Sequence, residues 1–436
     1  MKDIQKDYII SAIIMKYSQF NIITNLDDGT PIVYNSLSRK YLFKTDNNFE
    51  NIDIDEHRIC KDYGMLVDDD FDELNNVVLS VQEEILNGSQ SLTILPTTNC
   101  NARCWYCYEK GIEHFDMSQD IINNTIQFIK EQFQVEQELS INWFGGEPLM
   151  HFDAIKQITL ATKATGFTLK TCITTNGSLI TPELISLLKD NYKDISMSIT
   201  IDAIGEDYGL VKRFVNIPPE KAYDHLIYNI KYVLSAGIRV LLRINFKDFE
   251  EAKKIYSHLE ILLLDFPRSQ FYIYYAPIWN KHRGHSLEET LVYIDYMRSG
   301  YDINVLANPY IDNVFLNHVS NERFLSYCAA MNKHHYVVNA DGSIYRCHCL
   351  VSENKYACGN VHDGVNYSAL GYQIFEPNIR TEQCKTCSNL PICIVKCKAR
   401  DIIYGDDVIC ENTKTIIDSV IKLKIEQKVK RRCRKP

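Results

Sequence analysis

Between residues 91 and 277 the chain alternates short β-branched and aromatic runs with longer stretches whose apolar residues recur every three or four positions. The first kind of run reads as a strand and the second as an amphipathic helix, and their alternation is the pattern of βα units on a parallel sheet. Six strands are expected, near Leu92–Pro96, Ser140–Phe144, Leu169–Thr174, Ser196–Ile201, Arg239–Asn245 and Phe271–Ala276. "IINNTIQFIKEQF" is a clear intervening helix, and Thr181-Pro182 opens another as an N-cap followed by proline at the first helical position. Six units fall short of the eight that close a barrel, so the expected fold is α/β, a partial (β/α)6 barrel.

Ahead of these units, "PIVYNSLSRKYLFK" reads as a hairpin, and "DYGMLVDDDFDELNNVVLSVQEEILNG" as a turn followed by a helix with acidic residues in its first turn. This small α+β region is too short to be an independent enzyme, and capping the barrel bottom is one role open to it. The apolar run "YIISAIIM" follows a mixed-charge stretch and lacks a small-residue cleavage site. Nowhere is there an uninterrupted apolar run of about 18 residues. A cytoplasmic protein with no membrane partner is the expectation. The 436 residues carry a net charge of −9, and the only marked basic run is the tail "KVKRRCRKP", read as solvated, so no nucleic-acid partner is expected.

A reducing compartment gives the fifteen cysteines a different meaning, because clustered thiols there point to metal or redox chemistry rather than disulfides. Cys100, Cys104 and Cys107 form C-x3-C-x2-C directly after the first expected strand. Seven more run from Cys328 through Cys347, the C-x2-C-x5-C-x3-C set of Cys384, Cys387, Cys393 and Cys397, to Cys410. Cys60, Cys172 and Cys433 stand alone and receive no role. Three thiols in one loop can bind zinc with a distant fourth ligand, or hold a 4Fe–4S cluster with one iron left open. Other unusual sequences follow the later strands: "FGGEP", then "TTNG", then Asp202. In barrels the strand ends on that side carry the chemistry, so these segments are expected to form one site.

The C-x3-C-x2-C loop, with aromatic Tyr106 before its last cysteine and a βα barrel behind it, resembles the radical S-adenosylmethionine superfamily over roughly Ser91 to Ala276. The resemblance implies that Cys100, Cys104 and Cys107 hold a 4Fe–4S cluster whose open iron is chelated by S-adenosyl-L-methionine. Reductive cleavage of that ligand yields a 5′-deoxyadenosyl radical, with an external electron donor such as flavodoxin or ferredoxin. Tyr106 would belong to this binding site. Gly145, Gly146 and Glu147 match the family's GGE stretch, whose exposed backbone and carboxylate meet the methionyl amino group. Asn176 and Asp202 fall where the family contacts the ribose and carboxyl regions, and Arg243 with Asn245 resembles a carboxylate-facing pair. Asp202 and Asn245 could instead be turn or strand-end caps.

The second cysteine group, with "GSIYRC" ending at Cys347, resembles the seven-cysteine SPASM extension of enzymes that modify peptides and proteins. The resemblance implies two auxiliary 4Fe–4S clusters. One is held by Cys384, Cys387, Cys393 and Cys410; the other by Cys328, Cys347 and Cys397, with Cys349, Cys358, His334 or an open iron completing it. Zinc on the C-x2-C pairs is the alternative, and would make the chain a metal-stabilised binding module. Sulfatase-maturing relatives carry an aspartate base directly after the GxxxxC cysteine, where this chain has His348, which could itself act as an acid or base. "YNSL" and the G-x-LV-x-x-D-x-D-E stretch resemble the N-terminal regions of maturases of ribosomal peptides. In some relatives a module there binds the precursor's leader by strand addition.

The expected organisation is an N-terminal region over 1–90, a radical S-adenosylmethionine barrel over 91–277, a bridging segment over 278–327, a SPASM domain over 328–415, and a helix with the basic tail over 416–436. The expected activity is hydrogen abstraction from a precursor peptide bearing a leader, followed by oxidation that closes a thioether or other side-chain crosslink. Conversion of a cysteine or serine to formylglycine is the rival.

Overall fold

The computed structural model describes residues 15–433 except 44–53, 108–110, 112, 279–327, 352, 377–378, 380, 395–397, 400–401 and 403–406. Nearly all of the expected bridging segment and Cys397 therefore lie outside the described residues. The chain begins with strands β1 (Met15–Tyr17), β2 (Asn21–Asn25), β3 (Pro31–Asn35) and β4 (Tyr41–Phe43), helix α1 (Ile54–Asp62), strand β5 (Leu66–Asp68) and helix α2 (Glu73–Leu86). β2, β3 and β4 form an antiparallel sheet, and its β3–β4 pair is the expected hairpin. α2 starts where Asp72 accepts a hydrogen bond from the Asn75 amide at 3.0 Å, an N-cap with Glu73 in the first turn.

All six expected parallel strands are present: β6 (Gln90–Ile94), β7 (Leu139–Trp143), β8 (Leu169–Thr175), β9 (Tyr192–Ile201), β10 (Arg239–Phe246) and β11 (Phe271–Pro277). They pair in sequence order, with Ile94 beside Trp143, Trp143 beside Ile173 and Ile201 beside Ile244. Helices α3 (Gln119–Gln132), α4 (Phe152–Ala164), α5 (Pro182–Asn191), α6 (Glu206–Lys212), α7 (Pro219–Ser235) and α8 (Phe249–Leu262) occupy the crossovers. Thr181 caps α5 by accepting from the Leu184 amide at 3.2 Å, as Thr-Pro predicts.

The sheet does not stop at β6. Strand β12 (His335–Val338) pairs parallel with it, His335 beside Ser91 and Val338 beside Ile94, and β13 (Ser343–Tyr345), β14 (Gly359–Asn360) and β15 (Gly364–Val365) continue antiparallel. The second cysteine group is thus built onto the barrel sheet, a join with no signal in the local sequence because β12 comes from a segment more than two hundred residues after its partner. Fully buried His335 sits at this seam, with Nδ1 2.7 Å from Ser91 Oγ, and burial pushes its imidazole down to about 3, keeping it neutral.

The N-terminal region packs against the cysteine-rich part. Phe20, Val77, Val81 and Ile85 share a buried cluster with Met331, Leu390 and Ile394. The "YNSL" stretch makes the polar side of this contact: Ser36 Oγ donates to the Ser388 carbonyl, and buried Arg39, at φ +63°, donates to the carbonyls of Ser36 and Pro391. Asn35 fixes the turn. Its Oδ1 accepts from the amides of Leu37 (3.1 Å) and Ser38 (2.8 Å), and its Nδ2 lies within 3.0 Å of Ser18 Oγ, Asn21 Oδ1 and the Gly64 carbonyl. Asn35→Ala leaves several of these buried groups without a partner and should lower the unfolding free energy by about 1–3 kcal/mol in denaturant titration.

Candidate functional site

Along β7 to β11 the side chains alternate between two unlike faces. Ile141, Trp143, Ile173, Met197, Ile199, Leu242, Ile244 and Ile273 are buried under the helices. The opposite face carries Asn142, Cys172, Thr174, Ser198, Thr200, Arg243, Tyr272 and Tyr274, most of them only partly buried. Parallel sheets are normally apolar on both faces, so a polar, part-exposed face marks the lumen of an open barrel. The expected site segments converge at the carboxyl ends of these strands, on the lumen side.

The cysteine loop is held there by backbone pairing to the glycine stretch. Phe144 donates to the Ile94 carbonyl at 3.0 Å, Gly146 to Thr97 at 3.3 Å and Glu147 to Asn99 at 2.8 Å, prolonging the β6–β7 ladder into the loop. A Cβ on Gly145, at φ +124°, would strike the Thr97 carbonyl, and one on Gly146 the carbonyls of Thr98 and Asn99. Glycine is required at both positions by this contact between two backbones. From the other side Lys212 accepts the Arg103 amide at 2.8 Å and the Cys104 thiol at 3.8 Å, and Asn101 accepts the Val215 amide at 2.9 Å.

Glu147 departs from expectation. Its carboxylate is not exposed at the loop but fully buried, accepting from Thr175 Oγ1 and the Asn176 amide, both at 2.7 Å, and the Leu149 amide at 3.2 Å. It fastens the end of β8 to the end of β7. Burial pushes its carboxyl up to about 6 against the pull of those three donors. Asn176 is likewise turned inward. Its Nδ2 donates to Asn101 Oδ1 at 2.8 Å, and its Oδ1 accepts from the Ser178 amide and hydroxyl at 2.9 and 2.6 Å.

Asp202 is the second departure. Its side chain is 1% exposed and its oxygens are taken: Oδ1 accepts from Tyr106 OH at 2.7 Å and Asn245 Nδ2 at 2.9 Å, while Oδ2 pairs with Lys212 Nζ at 2.6 Å. Its oxygens are held in a buried network, of which Asn245 is also a member. Lys212, 3% exposed in its side chain, also donates to Thr200 Oγ1 at 2.7 Å and Tyr106 OH at 3.2 Å. Burial is the largest single influence and opposes its charge, but Asp202 together with the other groups around it outweighs burial and holds the ammonium well above its ordinary range. Burial pushes the Tyr106 phenol up, so it stays protonated and can donate. Arg243 spends its Nε on Asn245 Oδ1 at 2.9 Å, and no carboxylate among the described residues pairs with its guanidinium. Sequence reasoning missed Lys212. The available signal was its place four residues after Tyr208, which puts it on the buried face of α6.

Cys100, Cys104 and Cys107 are part-buried thiols at the lumen. Burial pushes Cys100 up to about 11, and the neighbouring Cys104 and Cys107 push the same way. Thiols crowded in this manner ionise only when a cation takes them as ligands, which fits an iron–sulfur cluster. Among the described residues no three His, Cys, Asp or Glu side chains converge on a single ion.

Cys328, Cys347 and Cys349 pack around the same cluster of Ala330, Leu350, Phe375 and Ala399. Cys384, Cys387 and Cys393 lie on two successive one-turn helices, Glu382–Lys385 and Leu390–Cys393, and the short link between them, and Cys410 is exposed near the start of the C-terminal helix Asp407–Cys433. After β13 the chain folds back over the lumen face, where Val351 packs with Leu95, Val337 and Tyr345, and exposed His348 rests its ring 4.9 Å from that of Phe144. The segment that carries Cys347 and Cys349 therefore runs beside the strand that ends in the glycine stretch. His334 and Cys358 lie elsewhere, the first on the Leu86 carbonyl at 2.9 Å and the second in the main core.

Two predictions follow from the network and the buried carboxyl. Lys212→Met strands Asp202 without its cation and should cost about 3–5 kcal/mol in denaturant unfolding, with Lys212→Arg recovering a large part. Glu147 has a raised folded-state value, so its contribution to stability is full below about pH 4.5 and is lost as pH rises through 6. Between pH 4.5 and 7 the wild type should lose more stability than Glu147→Gln; parallel curves would contradict this assignment.

Comparison with known proteins agrees with this geometry. Residues 94–259 match the family model of the radical SAM superfamily. The cysteine-type anaerobic sulfatase-maturating enzyme of Clostridium novyi is 23% identical over 368 residues, 76% of this chain and 96% of the relative. The solved structure of native anSMEcpe with bound AdoMet and Cp18Cys peptide matches with a TM-score of 0.59 at 17% identity, covering 78% of this chain and 99% of that one. Streptococcus suis SuiB bound to precursor peptide SuiA matches with a TM-score of 0.54 at 15% identity, covering 91% and 100%. At these identities the two structures share the fold. The chain spans 41% and 44% of the length of other curated relatives that it matches. Residues 94–259, which carry the cysteine loop, the glycine stretch and strands β7 to β10, are a radical SAM superfamily domain.

Proposed function

We propose that this protein is a SPASM-type radical S-adenosylmethionine enzyme that installs a side-chain crosslink in a ribosomally synthesised precursor peptide. The observation that carries the reading is the single sheet: β12 pairs with β6, which joins the start of the cysteine-rich region to the barrel sheet, with His348 against Phe144. Further support comes from the overall likeness to SuiB, which was solved with its precursor peptide, and to anSMEcpe, solved with a Cys-containing peptide.

In this reading Cys100, Cys104 and Cys107 ligate a 4Fe–4S cluster, which together with S-adenosyl-L-methionine supplies a 5′-deoxyadenosyl radical able to take hydrogen from unactivated carbon. The chain's own residues do the rest. The partly exposed backbone of Gly145 and Gly146 borders the position for the methionyl group, and the Arg243 guanidinium, whose Nε is held by Asn245, is the carboxylate partner through its terminal nitrogens. Asp202, Lys212, Tyr106 and Asn245 position the loop and exclude water beneath it. Cys384, Cys387, Cys393 and Cys410 hold one auxiliary 4Fe–4S cluster, and Cys328, Cys347 and Cys397 contribute to the other. His348, exposed at the lumen, moves a proton to or from the peptide. The region before residue 91 receives the leader, and a flavodoxin or ferredoxin supplies electrons.

A second reading, formylglycine formation on a sulfatase-type protein, draws on the likeness to the Clostridium novyi enzyme over most of both chains. Anaerobic incubation of the full chain with S-adenosyl-L-methionine, reductant and either a candidate precursor peptide or a sulfatase peptide separates the two. Crosslinking predicts 5′-deoxyadenosine together with a peptide that has lost a hydrogen pair for each bond closed. An unchanged precursor, with a cysteine or serine of a sulfatase peptide converted to an aldehyde, would replace the first reading by the second.

A further inference from the structure

The stretch "YNSL" and the arginine two residues after it belong to the N-terminal sheet, yet their polar atoms reach into the second cysteine group. We infer that Ser36 and Arg39 are positioning residues that hold the segment between Cys387 and Cys393 in place, which makes the N-terminal region a fixed part of the site carrying those thiols. The inference rests on the ligand role given above to Cys384, Cys387 and Cys393 and deepens it.

These thiols lie on pieces of chain that need support from outside. The helices Glu382–Lys385 and Leu390–Cys393 are four residues each, and neither has a side-chain cap. A single helical turn fixes several backbone dihedrals for one hydrogen bond, so pieces this short do not hold their own shape. Local backbone bonds tie the segment only to itself, the Cys387 amide to the Cys384 carbonyl at 3.2 Å and the Cys393 amide to the Asn389 carbonyl at 2.9 Å. Glu382, Gln383, Lys385 and Thr386 are exposed. Support comes from the side on which Leu390 and Ile394 are buried.

The N-terminal region occupies that side. Ser36, fully buried, donates through its amide to the Phe20 carbonyl at 2.9 Å and through its hydroxyl to the Ser388 carbonyl. Arg39 is 4% exposed and spans two segments: one terminal nitrogen donates to the Ser36 carbonyl, the other to the Pro391 carbonyl at 3.4 Å. Lysine would keep the charge but not this planar pair of donors. The backbone of Arg39 is at φ +63°, a conformation retained outside glycine only where the surroundings fix it. Here the Arg39 amide donates to the Asn35 carbonyl at 2.9 Å and closes the turn that aims the guanidinium. Both outside acceptors, Ser388 and Pro391, lie between Cys387 and Cys393, so the two bonds bracket the entry into the helix that ends at Cys393. Leu390 and Ile394 pack with Phe20, Val77, Val81 and Ile85, and Cys384 lies against the same cluster. The polar bonds and the apolar contact thus converge on one stretch of chain.

The first test uses the metal-free full chain, in which no bound metal ties the thiols together. Hydrogen exchange is followed by mass spectrometry over peptides covering 384–394. Ser36→Ala and Arg39→Met should each speed exchange there by about tenfold, with Arg39→Lys in between and strands β7 to β10 unchanged. Asp28→Ala is the control: Asp28 accepts from the Thr30 amide at 2.9 Å in the β2–β3 turn of the same sheet, and its loss should leave 384–394 as in the parent. Unchanged exchange in both Ser36→Ala and Arg39→Met, or an equal rise in Asp28→Ala, overturns the assignment.

The second test reconstitutes iron anaerobically in full-length protein whose Cys100, Cys104 and Cys107 are alanine. Arg39→Met should retain less iron than its parent and alter the EPR spectrum of the reduced protein, and Arg39→Lys should recover part of both. Equal iron with identical spectra overturns the positioning role at the metal site. No iron in the parent overturns the auxiliary-cluster reading alone, and the exchange result then decides whether Ser36 and Arg39 hold the segment.

Discussion

Lys212 and Asp202 form an ion pair almost wholly removed from water, and the mouth of the barrel is arranged around it. Burying two charges costs several kcal/mol each, and their attraction repays that only when the remaining hydrogen-bonding positions are also filled. Here they are: Thr200 and Tyr106 accept hydrogen bonds from Lys212, while Tyr106 and Asn245 donate to Asp202. The pair joins four parts of the chain that share no local sequence, namely the cysteine loop, the end of β9, helix α6 and the end of β10. Because the Lys212 carbonyl also receives the Arg103 amide and the Cys104 thiol, the position of the cysteines depends on a charge inserted from α6. A pair so enclosed contributes less to net stability than to one fixed geometry of the loop.

The second constraint is the continuity of the sheet. Pairing β12 with β6 extends a six-stranded parallel sheet without a break, and the antiparallel strands beyond it turn the chain back over the lumen face. Radical chemistry in a cleft needs reactive groups held at fixed separations and water kept out. A shared sheet accomplishes the first, since β12 and β6 cannot move independently. The N-terminal region reinforces the arrangement by burying Phe20 and one face of α2 against Met331, Leu390 and Ile394.

Much of this was legible in the sequence, for a physical reason. Each barrel strand shows its character locally, through apolar runs between helical periods, and all six appear where the pattern put them. The glycine stretch and the cysteine loop were also readable, since a close backbone approach and a metal-binding spacing are both local demands. Three features were not readable. Glu147 and Asp202 carry the right residue types for ligand contacts, but their burial is decided by partners at Thr175, Asn176 and Lys212 that only the folded chain supplies. Lys212 looks like any surface lysine until α6 is packed. The β6–β12 join depends on a contact across a large stretch of chain, which no periodicity records.

The central claim is that this fold is built around iron–sulfur clusters and S-adenosyl-L-methionine rather than structural zinc. Its most direct test is the iron and sulfide content of the anaerobically reconstituted full chain, measured together with dithionite-driven formation of 5′-deoxyadenosine and methionine. About twelve irons per chain, with cleavage, is the predicted result, corresponding to three four-iron clusters. Zinc in place of iron, with no cleavage, would contradict the account and leave a metal-stapled binding protein.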